Sequence, residues 1–254
     1  MLKKTIVVLL FLTPIFSTSK ANPIDDKAPQ FVCGAAPVSS ITTNNQYIIR
    51  RNYAVHYRYD TKTPEYVVEH VTLASITGSS KRKDNFKPDP NIPKNTSAQL
   101  VDYSSDCGLY DRGHMSPAEN NTQSDIIMSE SFYLSNIIPQ AANNNRGIWK
   151  ASELLVRKMV MQGKDIYVIS GTAYAQGYKK IGIDSVGVPT YIWKIIYDKK
   201  SNTSISFLFP NKSIPTSELK NKVVAIKTIS ELTKIKFKVN TSSYTLVNNL
   251  SNWK

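Results

Sequence analysis

One short stretch of the chain places an acid, a base, a glycine and a histidine next to one another. Residues 107–115 read CGLYDRGHM, in a chain that has only three histidines. A neutral imidazole such as that of His114 can take a proton from water, and the guanidinium of Arg112 can hold two phosphate oxygens at once. Gly113 between them permits close approach of the backbone. These residues fit the hydrolysis of a phosphodiester, and the alternative is a polar turn without chemistry.

Other kinds of histidine site can be weighed from the sequence. The three histidines are far apart and form neither HxH nor HExxH, so the sequence shows no zinc-binding spacing. A Ser-His-Asp triad stays open, because its members can lie anywhere in a chain, although no GxSxG is present. We expect His56 and His70, which lie in strand-like patterns, to be structural.

A second group of polar residues recurs every four positions in a segment whose pattern is helical. At about 100° per residue, Asn145, Trp149, Glu153 and Arg157 share one side of a helix over residues 145–161. The carbonyl oxygen of Asn145 could bind a hard cation such as Mg²⁺, and Glu153 could hold the water molecules of that cation. The alternative is a solvent-exposed face with an i, i+4 ion pair between Glu153 and Arg157.

Together the two segments carry a family resemblance. DRGHMSPAEN and FYLSNIIPQAANNNRGIWKASE resemble the DNA/RNA non-specific endonucleases of the ββα-metal, or His-Me finger, superfamily. The signature of that family is DRGH, followed by an SN-x-x-PQ segment and an N-x-G-x-W-x-x-x-E helix. The matching residues here are Asp111, Arg112, Gly113, His114, Ser135, Asn136, Pro139, Gln140, Asn145, Gly147, Trp149 and Glu153. A looser likeness extends over residues 53–232.

The resemblance implies a role for each matching residue. The implied catalytic residues are His114 as general base, Arg112 as transition-state stabiliser, Glu153 as the group that positions metal-bound water, and Asn136, although Asn136 and Gln140 are expected mainly to orient the site. Asn145 is implied as the sole direct protein ligand of one Mg²⁺, for which Mn²⁺ could substitute. The implied substrate-binding residues are Arg157, Arg82 and Gln140, and the implied structural residues are Asp111 and Gly113.

The activity that follows from the resemblance is Mg²⁺-dependent and not specific for the sugar. The expected enzyme cuts internal phosphodiester bonds of DNA and RNA and leaves 5′-phosphate ends; a homodimer is compatible with this expectation. Two other functions remain open from the residues alone. One is a basic nucleic-acid-binding protein that has lost cleavage, and the other is an exported hydrolase of a different phosphate or glycan ester.

The charge of the chain favours an anionic partner. Its formal net charge is +13 at pH 7, from 32 Lys and Arg against 19 Asp and Glu. Neutralising phosphates with such side chains drives binding that does not depend on nucleotide sequence. The alternative is that the charge only keeps the protein dispersed.

The first residues and the two cysteines predict export. Lysines, a short apolar run and small residues ending at Ala21 predict a signal peptide over residues 1–21, followed by an endonuclease domain over residues 22–254. The apolar run is shorter than the roughly 20 residues of a permanent anchor, so we expect no membrane anchor after cleavage and a secreted or periplasmic protein. In such an oxidising compartment, Cys33 and Cys107 are expected to form a disulfide.

The elements that would position these residues are of mixed type. Alternating or β-branched runs predict strands at residues 53–59, 65–77, 165–174, 189–198 and 204–210. Helices are expected at residues 126–134 and 145–161, with Gly163 ending the second, and a capping box at Thr228 and Glu231 predicts a third. Residues 22–46 are expected to be irregular, and residues 78–105 to form a long functional loop. The predicted fold is α+β, with a central antiparallel sheet flanked by helices and a ββα-metal motif.

Overall fold

The computed structural model describes residues 22–33, 36–104, 108–237 and 245–246. The predicted signal peptide and Cys107 lie outside these residues. The strands are β1 (Asn45–Ile49), β2 (Ala54–Arg58), β3 (Thr63–Val71), β4 (Tyr110–His114), β5 (Ile137–Ala141), β6 (Ile166–Ala173), β7 (Lys180–Ile181), β8 (Val186–Gly187), β9 (Tyr191–Asp198), β10 (Thr203–Pro210) and β11 (Thr245–Leu246). The α-helices are α1 (Pro23–Lys27), α2 (Leu73–Ile76), α3 (Asp125–Glu130), α4 (Lys150–Met161) and α5 (Ile226–Thr233).

A seven-stranded sheet in the order β1-β2-β3-β6-β9-β10-β11 forms the centre of the fold. Its strands pair antiparallel, except that β11 runs parallel to β10. The predicted α+β class with a central antiparallel sheet is confirmed. Because successive side chains of a strand point to opposite faces of the sheet, consecutive residues of β3 pack in two different apolar cores. Val67 packs in a core that includes Val156 of α4, whereas Val68 packs in a second core that includes Ile229 of α5.

The ββα motif lies on the α4 side of the sheet. Strands β4 and β5 pair antiparallel, with Asp111 opposite Gln140 and His114 opposite Ile137. The DRGH residues are therefore a strand and not a polar turn. A wider helical turn over Asn144–Trp149 precedes α4, because Gly147 adopts φ −106° and ψ −105°, outside the helical region. The regular helix begins later than predicted, and Gly163, at φ +81°, follows its end as expected.

Several predicted boundaries were wrong for local reasons. Residues 22–46, expected to be irregular, contain α1 and the start of β1. The strand predicted to reach Thr77 ends at Val71, because Thr72 and Ser75 cap α2 through reciprocal hydrogen bonds. The predicted capping box at Thr228 is absent, since α5 begins at Ile226 after Ala225 and Thr228 lies inside it.

Cys33 is a free cysteine in this structure, and Cys107, the other residue of the predicted disulfide, lies outside the described residues. Val32, the neighbour of Cys33, packs against the second core, on the α5 side of the sheet. No helix in the described part of the chain is long and apolar enough to cross a membrane.

Candidate active site

Strand β4 presents Arg112 and His114 on the same face. Residues two apart in a strand point to the same side, and both side chains contact the ring of Phe86. The Arg112 Cζ lies 4.4 Å from the Phe86 ring centroid, and the His114 ring centroid lies 5.3 Å from it. Phe86 belongs to the long loop before β4, which is held in place by paired backbone hydrogen bonds between Lys87 and the segment Phe132–Leu134. The long loop therefore helps to build the site.

His114 lies between two aromatic rings, since Phe132 packs edge-on at 5.0 Å from it. The side chain is only 7% exposed, and its buried Nε2 has no hydrogen-bond partner. Burial, reinforced by the positive charges of Arg82 and Arg112, lowers the pKa of His114 to about 3. The imidazole is consequently neutral near pH 7. An unpartnered buried nitrogen is costly unless a water molecule or a ligand contacts it, so this position calls for one.

The depressed pKa of His114 predicts a pH dependence of stability. Between the ordinary pKa of 6.5 and the folded pKa of about 3, the unfolded chain binds a proton here that the folded chain does not. The stabilisation is therefore complete above pH 6.5 and is lost as the pH falls through this window. Between pH 7 and pH 5 the free energy of unfolding of the wild type should fall by about 1–2 kcal/mol more than that of His114→Ala.

Urea unfolding of both proteins at the two pH values measures this difference. Glu69 has the opposite effect on the free energy of unfolding. Burial raises its pKa to about 7 from an ordinary 4.5, so its contribution to stability increases as the pH falls. Comparing the variant with the wild type cancels the Glu69 contribution, which both proteins share. Equal pH dependence in the two proteins would contradict a buried neutral imidazole.

Asn145 is held at the start of the helical segment by Asp111. Its Nδ2 donates to Asp111 Oδ2 at 2.9 Å, and Arg146 donates to both oxygens of the same carboxylate at 2.8 and 2.6 Å. Burial acts to raise the pKa of Asp111, but the hydrogen bonds from Arg146 and Asn145 outweigh it and lower the pKa. With the amide nitrogen committed to Asp111, the carbonyl oxygen of Asn145 is left to accept from, or to bind, another group.

The helical stripe is not a solvent-exposed face. Trp149 is fully buried, and its Nε1 donates to the backbone oxygen of His114 at 3.2 Å. Glu153 is 8% exposed, and burial raises its pKa, while the nearby positive charges of Lys194 and Arg157 act to lower it. The geometry thus excludes the interpretation of this stripe as a salt-bridged surface. Trp149 joins the helical segment to the strand that carries His114.

One cleft of about 340 Å³ gathers side chains from four parts of the chain. Among the residues that line it are Arg82, Arg112, His114, Asn145, Glu153 and Arg157. A second cleft of about 470 Å³ shares Arg82, Arg112 and Asn145 with the first and extends past Phe86 and Tyr110. The structure therefore brings together six residues that the sequence implicated, in a surface suited to an anion.

Two arginines of the cleft are oriented by neighbouring groups. Arg82 Nε donates to Asp84 at 2.8 Å and its Nη1 to Glu119 at 3.4 Å, while its Cζ lies 5.2 Å from the ring centroid of Phe132. Arg157 Nη1 donates to Asn120 Oδ1 at 3.4 Å. The two guanidinium groups reach the cleft from the long loop and from α4.

Two predicted residues lie away from the cleft. Asn136 is fully buried, with its Nδ2 donating to the backbone oxygens of Ser116 and Ser131 at 2.8 and 2.9 Å and its Oδ1 accepting from Ser116 N at 2.9 Å. Its amide is used entirely to hold the loop after His114, which agrees with the expected role of Asn136 in orienting the site. Gln140, assigned to substrate, is also fully buried and donates to Asn144 Oδ1 at 2.9 Å, which makes it a structural residue.

Gly113 is required by its contact with Gln140. A Cβ at this position would lie 2.0 Å from Gln140 Oε1 and 2.7 Å from Gln140 Cβ. We expect Gly113→Ala to lower the free energy of unfolding by about 1–3 kcal/mol, the usual range for overpacking. Urea unfolding of Gly113→Ala, Gln140→Ala and the double variant measures this effect. The two substitutions should compensate in part, and strictly additive losses would contradict the contact.

The sequence did not reveal three features around the site. The rings of Phe86 and Phe132 enclose His114, and two ionisable groups, Glu69 on β3 and Lys194 on β9, are buried beneath α4. A charged residue within an otherwise apolar strand is rarely fully buried without a partner. The charges in EYVVEHV and in YIWKIIYD were therefore the available signal for Glu69 and Lys194.

Comparison with known proteins connects this geometry to a family. The family model described as DNA/RNA non-specific endonuclease matches residues 35–243. The chain is 39% identical over 189 residues to the mitochondrial Nuclease EXOG of Xenopus laevis and 37% identical over 180 residues to that of Homo sapiens. These matches cover 68% and 64% of this chain and 51% and 48% of the relatives, so the chain spans about half the length of the curated relatives it matches.

A solved structure shares the fold. A chain in the crystal structure of the EndoG/EndoGI complex, which concerns the mechanism of EndoG inhibition, superposes with a TM-score of 0.74 at 26% identity. The match covers 80% of this chain and 90% of that one. The comparisons contradict the predicted secreted or periplasmic location, because the relatives named Nuclease EXOG are mitochondrial. That prediction was therefore wrong.

Proposed function

The chain belongs to the DNA/RNA non-specific endonuclease family, and on that premise we propose that it is a metal-dependent endonuclease acting on DNA and RNA. The observation that carries this proposal is the single cleft lined by His114, Asn145 and Glu153 together with four arginines, Arg82, Arg112, Arg146 and Arg157. Phosphodiester hydrolysis by such a site needs a neutral base, an oxygen ligand for a metal ion, a carboxylate, and positively charged side chains that hold the phosphate. The proposed domain covers residues 22–254.

His114 is the proposed general base. Its imidazole is neutral near pH 7, and its ring is fixed by Phe86 and Phe132 at centroid distances of 5.3 and 5.0 Å. The hydrogen bond from Trp149 to the backbone oxygen of His114 fixes the strand as well. A rigid, desolvated imidazole with a free nitrogen can take the proton of an attacking water molecule without first losing a proton of its own.

The residues present fit one hydrated Mg²⁺. The described residues contain no group of three or more His, Cys, Asp or Glu side chains placed to hold a metal, so a site built from carboxylates or thiolates does not fit them. Asn145 instead offers one hard oxygen, and the buried Glu153 can accept hydrogen bonds from water molecules. When bound, Mg²⁺ would neutralise charge on the phosphate and on the leaving oxygen. Mn²⁺ has the same preference for oxygen and could substitute.

Three of the four arginines of the cleft are proposed to hold the substrate, while Arg146 is paired with Asp111. Arg112 extends from β4 with its guanidinium over Phe86, next to His114 on the same strand face. It is placed to stabilise the charge that develops on the phosphate, while Arg82 and Arg157 bind flanking phosphate oxygens. Contacts made to phosphate carry no information about base or sugar. We therefore propose cleavage of both DNA and RNA, with the 3′ oxygen as leaving group and 5′-phosphate product ends.

Two aspects of the assembly remain proposals. The solved structure of similar fold is a complex of EndoG with EndoGI. A homodimer of the present chain is kept as a proposal. Neither arrangement is needed for the proposed chemistry, because every residue assigned to it comes from one chain.

The proposal is tested on DNA and RNA oligonucleotides of matched sequence. We expect the purified protein to cleave both in Mg²⁺, and mass spectrometry should find a phosphate at each new 5′ end. EDTA should abolish the products. Salt-sensitive binding without any cleavage would instead support a nucleic-acid-binding protein, and 3′-phosphate products would contradict the proposed leaving group.

A further inference from the structure

Three ionisable side chains are buried beneath the cleft, between α4 and the central sheet. Glu69 on β3 is 2% exposed, Lys194 on β9 is 1% exposed, and Glu153 on α4 is 8% exposed. Lys194 lies on the face of β9 that packs against α4, between Ile192 and Ile196, which both belong to the same core as Val156. A lysine in this position loses its hydration, and the charge must be compensated from within the protein.

The compensation comes from the site itself. Burial lowers the pKa of Lys194, whereas the negative charges of Glu153 and Glu69 act to raise it and Arg157 acts to lower it. These three side chains are the charged groups that face Lys194 from α4 and from β3. One cation thus lies among two carboxylates, one of which lines the proposed catalytic cleft.

Lys194 is also in contact with the residue that fixes His114. Its Nζ lies 4.0 Å from the ring centroid of Trp149, a distance suited to a cation-π interaction. Trp149 in turn donates its Nε1 hydrogen to the backbone oxygen of His114 at 3.2 Å. The same ammonium group is therefore linked to the strand half of the site through Trp149, while the charge of Glu153 on α4 acts on it from the helical half.

Glu69 ties this cluster to the rest of the site. Its Oε2 accepts from Ser116 Oγ at 2.8 Å and its Oε1 from Asn120 Nδ2 at 3.2 Å, while Asn120 Oδ1 accepts from Arg157. Ser116 follows His114 by two residues and is itself held by Asn136. Hydrogen bonds thus connect Glu69 with Arg157 on one side and with the segment that follows His114 on the other.

If Lys194 only filled space in the core, an apolar side chain at this position would stabilise the fold at least as well. A buried ionic group adds little to stability compared with well-packed apolar residues of the same volume. Its neighbours Trp193 and Ile195, which face the other core, are apolar. The cost of burying an ammonium at this one position indicates a use for its charge.

We propose that Lys194 is a positioning residue of the active site, whose buried ammonium orients the Glu153 carboxylate and, through Trp149, the backbone of His114. This inference rests on the proposed nuclease function. Lys194 touches neither the cleft nor the substrate, so it acts through Glu153 and Trp149. Its loss should lower kcat and weaken metal binding, and should leave the KM for nucleic acid unchanged.

The test compares two variants that remove the ammonium with one that removes a surface charge. Lys194→Met leaves two carboxylates uncompensated, whereas Lys194→Met with Glu69→Gln restores the charge balance of the core. Lys199→Met, at the exposed residue that follows β9, is the matched control. Cooperative urea unfolding reports folding, steady-state cleavage of DNA gives kcat and KM, and electron paramagnetic resonance of unbound Mn²⁺ gives metal affinity.

We expect the charge-balanced double variant to fold and yet to lose roughly 10- to 100-fold in kcat and in Mn²⁺ affinity, the range typical of removing a supporting partner of a metal site. KM for DNA should be unchanged, and Lys199→Met should match the wild type. A folded double variant with wild-type kcat and Mn²⁺ affinity would overturn the inference, as would a double variant that does not fold, because Lys194 would then serve the core alone. Absence of cleavage by the wild type would instead overturn the proposed function.

Discussion

His114→Ala is expected to lower kcat for DNA cleavage by about 10²- to 10⁴-fold, the usual contribution of a general base. The substitution removes the neutral imidazole, and no neighbouring side chain with an equivalent free nitrogen is positioned by Phe86 and Phe132 within the described part of the site. KM should change little, since the arginines that bind phosphate remain. Initial rates on a labelled oligonucleotide in saturating Mg²⁺ measure the effect.

His70→Ala provides the matched control for this prediction. His70 is another histidine, with its Nε2 hydrogen-bonded to Asp165 Oδ1 at 2.6 Å and its ring stacked on Tyr167. It does not line the cleft, so its loss should leave kcat unchanged. A His114→Ala protein that unfolds cooperatively and cleaves at the wild-type rate would exclude His114 as the base.

Asn145→Ala is expected to have the second largest effect, through the metal. The variant keeps Asp111 paired with Arg146 but loses the oxygen proposed to bind Mg²⁺. Cleavage at fixed Mg²⁺ should fall at least about 10- to 100-fold, because even outer partners of metal sites contribute that much. The Mg²⁺ concentration that gives half-maximal activity should rise, and higher Mg²⁺ or Mn²⁺ should restore part of the rate.

Asn143→Ala is the control for this metal prediction. Asn143 is an exposed residue just before the segment that carries Asn145, and it does not line the cleft. Its substitution should leave the Mg²⁺ dependence of cleavage as in the wild type. If Asn145→Ala retained the wild-type Mg²⁺ dependence as well, Asn145 could not be the metal ligand.

The residues of the site were predictable where local sequence determines their placement. His114 and Arg112 are two apart on one strand, and Glu153 and Arg157 are one turn apart on one helix, so spacing alone places each pair on a common face. The family resemblance joined the two pairs, which are separated by about 40 positions in the sequence. The antiparallel sheet was also predictable, since its central strands carry long β-branched and apolar runs.

Features that depend on long-range packing were not predictable in this way. Asn136 and Gln140 match the family signature, yet both amides are buried against backbone or side chains that only the folded chain brings near. The irregular backbone at Gly147 moves the start of α4. Lys194 and Glu69 lie on strands separated by β6, so only the tertiary fold unites them beneath Glu153.

The most direct test of the proposed endonuclease is the conversion of a covalently closed circular plasmid, which has no ends for an exonuclease to attack. We predict that the wild-type protein nicks and then linearises the plasmid in Mg²⁺, and that both products are absent in EDTA and strongly reduced with His114→Ala. A plasmid that stays closed in Mg²⁺, or that is cut equally well in EDTA or by His114→Ala, would contradict a metal-dependent endonuclease built on His114.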